Sequence, residues 1–349
     1  MTILVAPLNW GLGHAGRCVP LVQRFLDEGH EVILGGDGES LTLLRRHFPK
    51  LRYVYLAPLQ LRYGKGRSQV WAMLKALPKI LRWAVQDHTM LQAVLREEHI
   101  DRVVSDNRFG LYSRNTECIY ITHQLHIRLP EGWRWAEPLA AKIHARIYTR
   151  YNKVWVPDYE EQEKSLSGEL GHPQKSFVHR TSSLCTLSYI GPLSRFQNYP
   201  VNQNNLNSPS YSTVAVLSGL EPHRTLLESE ITARYQNSAE QVLIVQGLLH
   251  RPNTRIKRGN LTIVPSMGDK ELASALLGAK HIIVRSGYST IMDLEALGLL
   301  NSQLSTFHTA SADRSRPCRD KNSQLEFIPT PGQPEQEYLA FWVQKRTSE

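Results

Sequence analysis

The stretch Ile3-Leu4-Val5-Ala6-Pro7-Leu8-Asn9-Trp10-Gly11-Leu12-Gly13-His14-Ala15-Gly16-Arg17 decides the fold. A short apolar run ends in a glycine-rich turn. A helical pattern follows over Gly16–Glu28, with Val19, Leu21, Val22, Phe25 and Leu26 set against Gln23, Arg24, Asp27 and Glu28. Strand, glycine turn and helix in that order is the first half of a parallel βαβ unit. Further strands are expected at Glu31–Gly35, Tyr53–Ala57, Arg102–Ser105, Ile119–Thr122 and Val154–Val156.

The pattern pauses at Asn198–Ser212, rich in Asn, Pro and Ser and unable to form a core. It restarts with strands at Thr213–Leu217, Val242–Val245, Leu261–Val264, His281–Val284 and Phe327–Ile328. Helices are expected near Arg224–Tyr235, Lys270–Leu277 and Thr290–Leu297, and from Glu335 onward. The reading is α/β: two parallel-sheet domains, 1–187 and 188–349, with a cleft between them and ligands beyond the carboxyl ends of the strands. Residues 299–325 do not fit. They are polar and irregular, an insertion or a disrupted segment in a place where a short connection is usual.

Composition excludes several classes. At 349 residues and 41% hydrophobic content, the chain can bury sizeable cores. No apolar run reaches the roughly 18 residues of a membrane span. The N-terminus lacks a basic region and reads as a first strand, not a signal peptide. Cys18, Cys118, Cys185 and Cys318 form no CxxC pair, so reduced thiols in a cytoplasmic protein are expected, without a structural metal. A net charge of +9 favours an anionic partner. Nucleic acid is disfavoured, since no aromatic–basic RNA signature or helix-turn-helix spacing is present.

Four stretches carry chemistry. In the first, Gly11, Gly13 and Gly16 let backbone approach a ligand, and His14 stands at the turn as base or cap. The second is Val284-Arg285-Ser286-Gly287-Tyr288-Ser289-Thr290-Ile291-Met292-Asp293, a strand end followed by a capped helix start. Its amides and dipole suit a diphosphate, and Asp293 lies about one turn in, within reach of a ribose diol. In the third, Phe327-Ile328-Pro329-Thr330-Pro331-Gly332-Gln333-Pro334-Glu335-Gln336, prolines fix a turn from which Gln333, Glu335 and Gln336 could face a sugar. The fourth is Leu217-Ser218-Gly219-Leu220-Glu221-Pro222-His223-Arg224. The first three stretches also read as plain structure: a packing turn, a capped helix, a Pro-rich surface turn.

Together and in this order, these stretches resemble glycosyltransferase family 28, the group that includes the MurG-type transferases. The second-domain motifs are the most specific part. The resemblance implies a GT-B architecture, with two Rossmann-like domains facing a central cleft. It implies a nucleotide-diphosphate sugar donor, UDP-linked in the first instance, and inverting transfer of a hexose or N-acetylhexosamine without metal or cofactor. Asp293 takes the place of an acidic residue that holds the donor ribose, and Gln336 matches a glutamine of the sugar-contacting turn.

Without a metal, the leaving diphosphate must be stabilised by helix starts and polar or cationic side chains. Ser218, Gly219, Arg224, Ser286, Gly287, Ser289 and Thr290 are the candidates. The acceptor hydroxyl needs a general base. His14 is the first choice, then Asp106 and His123, each at a strand end. Gly11, Gly13 and Asn107 are assigned to the acceptor.

The acceptor is expected to be a glycan or a lipid-linked molecule. In Val70–Trp83, Val70, Met73, Leu74, Leu77 and Leu81 share one helical face and Lys75, Lys79 and Arg82 another. Such a helix either rests on an anionic bilayer, placing the protein peripherally at the inner face of the membrane, or packs on its own sheet. Two alternatives stand beside transfer. One is a nucleotide-sugar epimerase on the same plan. The other is a catalytically compromised binding protein, suggested by 299–325 and by the few residues after Ala340.

Overall fold

The computed structural model describes residues 1–59, 69–172, 185–199, 211–300 and 324–348. Most of the Asn/Pro/Ser-rich stretch (200–210), most of the irregular segment (301–323) and Cys318 with it lie outside the described residues. The chain divides into two compact units, Met1–Leu193 with Gly332–Glu335, and Ser194–Pro331 with Gln336–Glu349.

The first unit is a seven-stranded, wholly parallel sheet. Its strands are β1 (Thr2–Pro7), β2 (Glu31–Gly36), β3 (Tyr53–Tyr55), β4 (Arg102–Asp106), β5 (Glu117–Ile121), β6 (Lys153–Val156) and β7 (Thr186–Tyr189). They lie side by side in the order β3-β2-β1-β4-β5-β6-β7. Ile3, Leu4, Val5 and Ala6 are fully buried, the continuous apolar run expected of a central parallel strand. The crossovers carry α1 (Leu12–Asp27), α2 (Gly38–His47), α3 (Gln69–Glu97) and α4 (Glu137–Tyr148). Progression from β1 to β3 runs one way across the sheet and from β4 to β7 the other. Right-handed crossovers therefore place α1 and α2 on one face and α3 and α4 on the opposite one. Leu91 of α3 and Tyr148 of α4 accordingly share one core cluster with Val103 and Tyr120.

The second unit is a six-stranded sheet. Its strands are β8 (Thr213–Val216), β9 (Val242–Val245), β10 (Ile256–Arg258), β11 (Leu261–Val264), β12 (His281–Val284) and β13 (Gln324–Phe327), in the order β10-β11-β9-β8-β12-β13. All neighbours are parallel except the edge strand β10, antiparallel to β11. Helices α5 (His223–Tyr235), α6 (Asp269–Gly278), α7 (Tyr288–Ala296) and α8 (Pro334–Ser348) complete the described elements. Among the described residues, no helix is long and apolar enough to cross a membrane.

Two details differ from expectation. Helix α1 begins at Leu12, not Gly16, because Gly11 at φ 83 makes the turn and Gly13 is absorbed into the first helical turn. His14 is thereby a helix residue. The domain boundary expected at 187/188 falls inside β7. That strand pairs with β6 through Tyr189, which keeps the chain up to Leu193 in the first unit.

Candidate active site

In an open parallel sheet, ligands bind beyond the carboxyl ends of the strands, where the strand order reverses. The first sheet reverses between β1 and β4, paired with Pro7 opposite Asp106. The second reverses between β8 and β12, paired with Val216 opposite Val284. The sequence candidates stand just beyond these ends.

In the first unit, β4 ends at Asp106, fully buried. Helix α1 starts after β1 and brings His14 and Arg17 onto that carboxylate. His14 Nδ1 lies 2.9 Å from Asp106 Oδ1. Arg17 Nε donates to Asp106 Oδ2 at 2.5 Å, and Arg17 Nη2 donates to Oδ1. Burial by itself would raise the Asp106 pKa. The Arg17 guanidinium and His14 outweigh it and hold the carboxyl well below the usual range. An ionised carboxylate only accepts, so the contact with His14 is attractive when Nδ1 carries the hydrogen. Arg17 Nη2 also lies 3.0 Å from Nδ1; it carries two hydrogens, one on Asp106 Oδ1, and the second would meet an Nδ1 lone pair only in the other tautomer. The tautomer with Nδ1–H on Asp106 leaves the lone pair on His14 Nε2, on a side chain 16% exposed. A histidine oriented by a buried carboxylate, with its second nitrogen available, is the arrangement of a general base.

His123, beyond β5, belongs to the same cluster. Arg17 Nη1 is 3.3 Å from His123 Nδ1, and an arginine can only donate. Nδ1 is therefore the acceptor, and Nε2–H donates to Glu335 Oε1 at 2.8 Å, in the segment Gly332–Glu335 grouped with this unit. Burial pulls the His123 pKa down. The ring is buried and fixed through both nitrogens, so it supports Arg17 and leaves the base position to His14.

The next residue, Asn107, takes φ 56 and accepts a hydrogen bond from the Tyr120 hydroxyl at 3.0 Å. Behind it Arg108 is wholly buried. It donates to Asp87 Oδ1 at 2.6 Å, to Asp37 Oδ1 at 2.8 Å and to the Ala57 carbonyl at 2.8 Å. Asp37 in turn accepts from Asn9 Nδ2 at 2.9 Å, in the glycine turn. Sequence reasoning missed Arg17, Arg108, Asp37 and Asp87. Arg17 was at least inside the decisive stretch, one helical turn after His14, whereas nothing local marks the others.

In the second unit, Ser218 and Gly219 follow β8 as a turn, with Gly219 at φ 96 and exposed. Arg224, in the first turn of α5, is buried against Glu221 and Glu228, the latter at 3.2 Å. Its charge is thus shared with two carboxylates. Beyond β12, Arg285 is buried and donates to the carbonyls of Ile328 at 3.1 Å, Pro329 at 2.9 Å and His223 at 2.8 Å. No described carboxylate meets it, and burial lowers its pKa. It ties the start of α5 to the turn after β13. Ser286 is buried and donates to the Gln336 carbonyl at 2.7 Å. Gly287 caps α7, whose first residues include Ser289 and Thr290. Asp293 accepts from Ser194 Oγ at 2.6 Å, with Arg195 Nε at 3.6 Å, and burial raises its pKa. Gln336 Oε1 accepts from the Thr330 amide at 2.8 Å. Gln333 lies in the turn just before α8. The edge beyond β8 and β12 therefore gathers two helix starts, an arginine without a carboxylate partner, and Gln336 of the third stretch.

No family model matches the chain. An uncharacterized glycosyltransferase of Methanosarcina mazei is 28% identical over 173 residues, which cover 46% of this chain and 44% of that protein. The chain thus spans less than half the length of that relative. Another protein of the same description and organism is 22% identical over 321 residues, 85% of this chain and 78% of that one. Among solved structures, the spinosyn rhamnosyltransferase SpnG superposes with a TM-score of 0.54 at 12% identity, covering 100% of this chain and 92% of that chain. UGT89C1 of Arabidopsis thaliana, complexed with UDP-L-rhamnose, gives 0.52 at 11%, covering 99% and 91%. SpnG also has a structure with thymidine diphosphate. The likeness is one of fold: two parallel-sheet α/β units, as in these GT-B glycosyltransferases.

Proposed function

We propose that this protein is a glycosyltransferase that moves a sugar from a nucleoside-diphosphate donor to an acceptor hydroxyl by a metal-independent, inverting displacement. The observation that carries the reading is the His14–Asp106 pair, 2.9 Å apart at the reversal point of the first sheet. The acceptor O–H gives its proton to His14 Nε2. Its oxygen forms a bond to the anomeric carbon, whose bond to the diphosphate oxygen breaks, and the electron pair leaves with the nucleoside diphosphate. Asp106 stabilises the imidazolium as it forms.

On the donor side, the amides of the Ser218–Gly219 turn and of the α7 start at Gly287, Ser289 and Thr290 face the growing diphosphate charge. Asp293 holds the ribose, and Gln333, Glu335 and Gln336 hold the sugar. UDP is the first donor class to try, in keeping with the family 28 motifs. TDP is the second, in keeping with the thymidine diphosphate complex of SpnG. Gly11, Gly13 and Asn107 border the acceptor. A cytoplasmic setting fits Cys18, Cys118 and Cys185, all free thiols. The epimerase and binding-protein readings draw no support from relatives described as glycosyltransferases.

The test pairs His14→Ala and Asp106→Asn with a donor panel, reading nucleoside-diphosphate release with and without acceptor. Expected are a loss of turnover of about 10²–10⁴-fold for His14→Ala, unchanged calorimetric affinity for UDP or TDP, and product only when acceptor is present. Wild-type turnover in His14→Ala overturns the mechanism. Product formed without acceptor restores the epimerase.

A further inference from the structure

The start of α5 already holds an anion of the chain's own. Glu221 stands between the Ser218–Gly219 turn and the first helical residue, His223. Its carboxylate receives Arg224 Nη2 on Oε1. On Oε2 it accepts from the Thr225 hydroxyl at 2.8 Å and from the Thr225 amide at 3.3 Å. A first-turn amide, a hydroxyl and a guanidinium are the donors that an incoming phosphate uses. Glu221 occupies all three.

The second acid on Arg224 is of a different kind. Glu228 Oε2 meets Arg224 Nη1 at 3.2 Å, and Glu228 Oε1 accepts from Gln246 Nε2, just past β9, at 2.7 Å. The Glu228 side chain is 20% exposed, against 54% for Glu221, and Arg224 between them is 7% exposed. Glu228 is thus the fixed counter-ion, shielded and tied from a second element. Glu221 is the exchangeable one, because an exposed ion pair adds little stability and yields easily to another anion. Arg224 Nε is buried and makes no hydrogen bond among the described residues, which leaves the guanidinium a further donor. Burial alone would raise the Glu221 pKa, but the bonds from Thr225 and Arg224 outweigh it and lower it, so this carboxylate is charged at neutral pH.

Transfer changes the charge that Glu221 faces. In a nucleoside-diphosphate sugar the terminal phosphate is esterified and carries a single negative charge. When the bond to the anomeric carbon breaks, its electron pair stays on the phosphate oxygen. The terminal phosphate of the product then carries about two negative charges at pH 7. A carboxylate competing for the same donors opposes the product more strongly than the donor sugar.

We propose that Glu221 drives release of the nucleoside-diphosphate product, yielding Arg224 and Thr225 to the singly charged donor phosphate and reclaiming them once the terminal phosphate gains its second charge. Glu221 thereby sets the preference for donor over product. The inference rests on the proposed transfer reaction.

The experiment is calorimetric titration of the full chain and of Glu221→Gln with UDP, TDP and their β-methyl esters, which carry the charge of the donor without its sugar. Glutamine keeps an oxygen for Thr225 and removes the charge. Position 221 is exposed, so an unchanged melting temperature confirms folding, and Glu221→Ala serves as a second charge-free variant. The variants are expected to bind UDP or TDP about tenfold more tightly than wild type, with a clearly smaller gain for the methyl esters. Glu221→Asp, which keeps the charge, should restore the wild-type preference for ester over diphosphate. No gain for the diphosphates overturns the inference. So does an equal gain for diphosphates and esters, which makes Glu221 a plain obstruction. Both results leave the donor site standing. Absence of binding of every probe by wild type and variants alike overturns the donor site itself, and the release role with it.

Discussion

The Tyr120 hydroxyl donates to Asn107 Oδ1 at 3.0 Å, and Asn107 is the one non-glycine residue in left-handed backbone (φ 56) among the described residues. The bond holds the backbone reversal that immediately follows Asp106 and so fixes where that carboxylate points. Asparagine tolerates this conformation better than other non-glycine residues.

Asn107→Ala removes both the bond and the tolerance. A loss of about 1–2 kcal/mol in unfolding free energy is expected, read from the urea midpoint, with a fall in turnover. Asn107→Gly keeps the backbone and should recover part of both. An alanine variant with a wild-type midpoint removes the claim that this turn is held.

The Asp37–Arg108–Asp87 cluster makes a sharper demand, because Arg108 and Asp87 are both wholly buried. Arg108→Met strands Asp87 without a counter-charge and should cost about 3–5 kcal/mol. Adding Asp87→Leu should return most of that loss, since the stranded charge is gone. Calorimetric melts of the single and double variants check this. A double variant less stable than the single one contradicts it.

His144 sets a pH dependence. Burial between Tyr120 and Tyr148 pushes its pKa down to about 4, and its Nδ1 has no hydrogen-bond partner among the described residues. The unfolded chain binds the proton near pH 6.5 and the folded one near 4. Stability from the neutral ring is therefore complete above about 6.5 and drains as pH falls toward 4, by a total of about 3 kcal/mol. His144→Phe keeps a ring in the same place and should flatten this part of the stability–pH curve. Parallel curves for the variant and the wild type would locate the titration elsewhere.

Arg285 spans three carbonyls, a task for a planar fork that a lysine ammonium performs poorly. Arg285→Lys should cost about 2 kcal/mol and weaken UDP or TDP binding, because the turn after β13 and the start of α5 lose their tie. Equal melting temperature and equal nucleotide affinity would show the tie to be idle.

The strands were legible because parallel strands buried on both faces are unbroken runs such as Ile3–Ala6, Val242–Val245 and Ile282–Val284. The last strand and α8 were found within a few residues. The edge strands β7 and β10 were not, since Thr186–Tyr189 and Ile256–Arg258 are short and partly or wholly exposed and carry no such run. Of the site, the glycine turns and strand ends could be named. Their linkage could not, because the partners are far apart in the chain: Arg17 and Asp106, His123 and Glu335, Arg108 and Asp37. His14 and Asp106 appeared in the sequence as rival bases, and the fold makes them one pair. The face of α3 was open to two readings, since helical periodicity says which side chains lie together but not whether that side turns inward.

Strand β1 finds its second neighbour, β4, only after about a hundred further residues, and its flank on that side runs from Ile3 to Pro7. During translation, β1, β2 and β3 emerge before β4, with one side of β1 bearing free N–H and C=O groups until Arg102–Asp106 arrives. Such a long loop closes slowly, and an unpaired apolar strand recruits other chains. The growing polypeptide thus passes through a stage, absent from the finished fold, in which this edge of β1 is bare and is the place for a chaperone to shield.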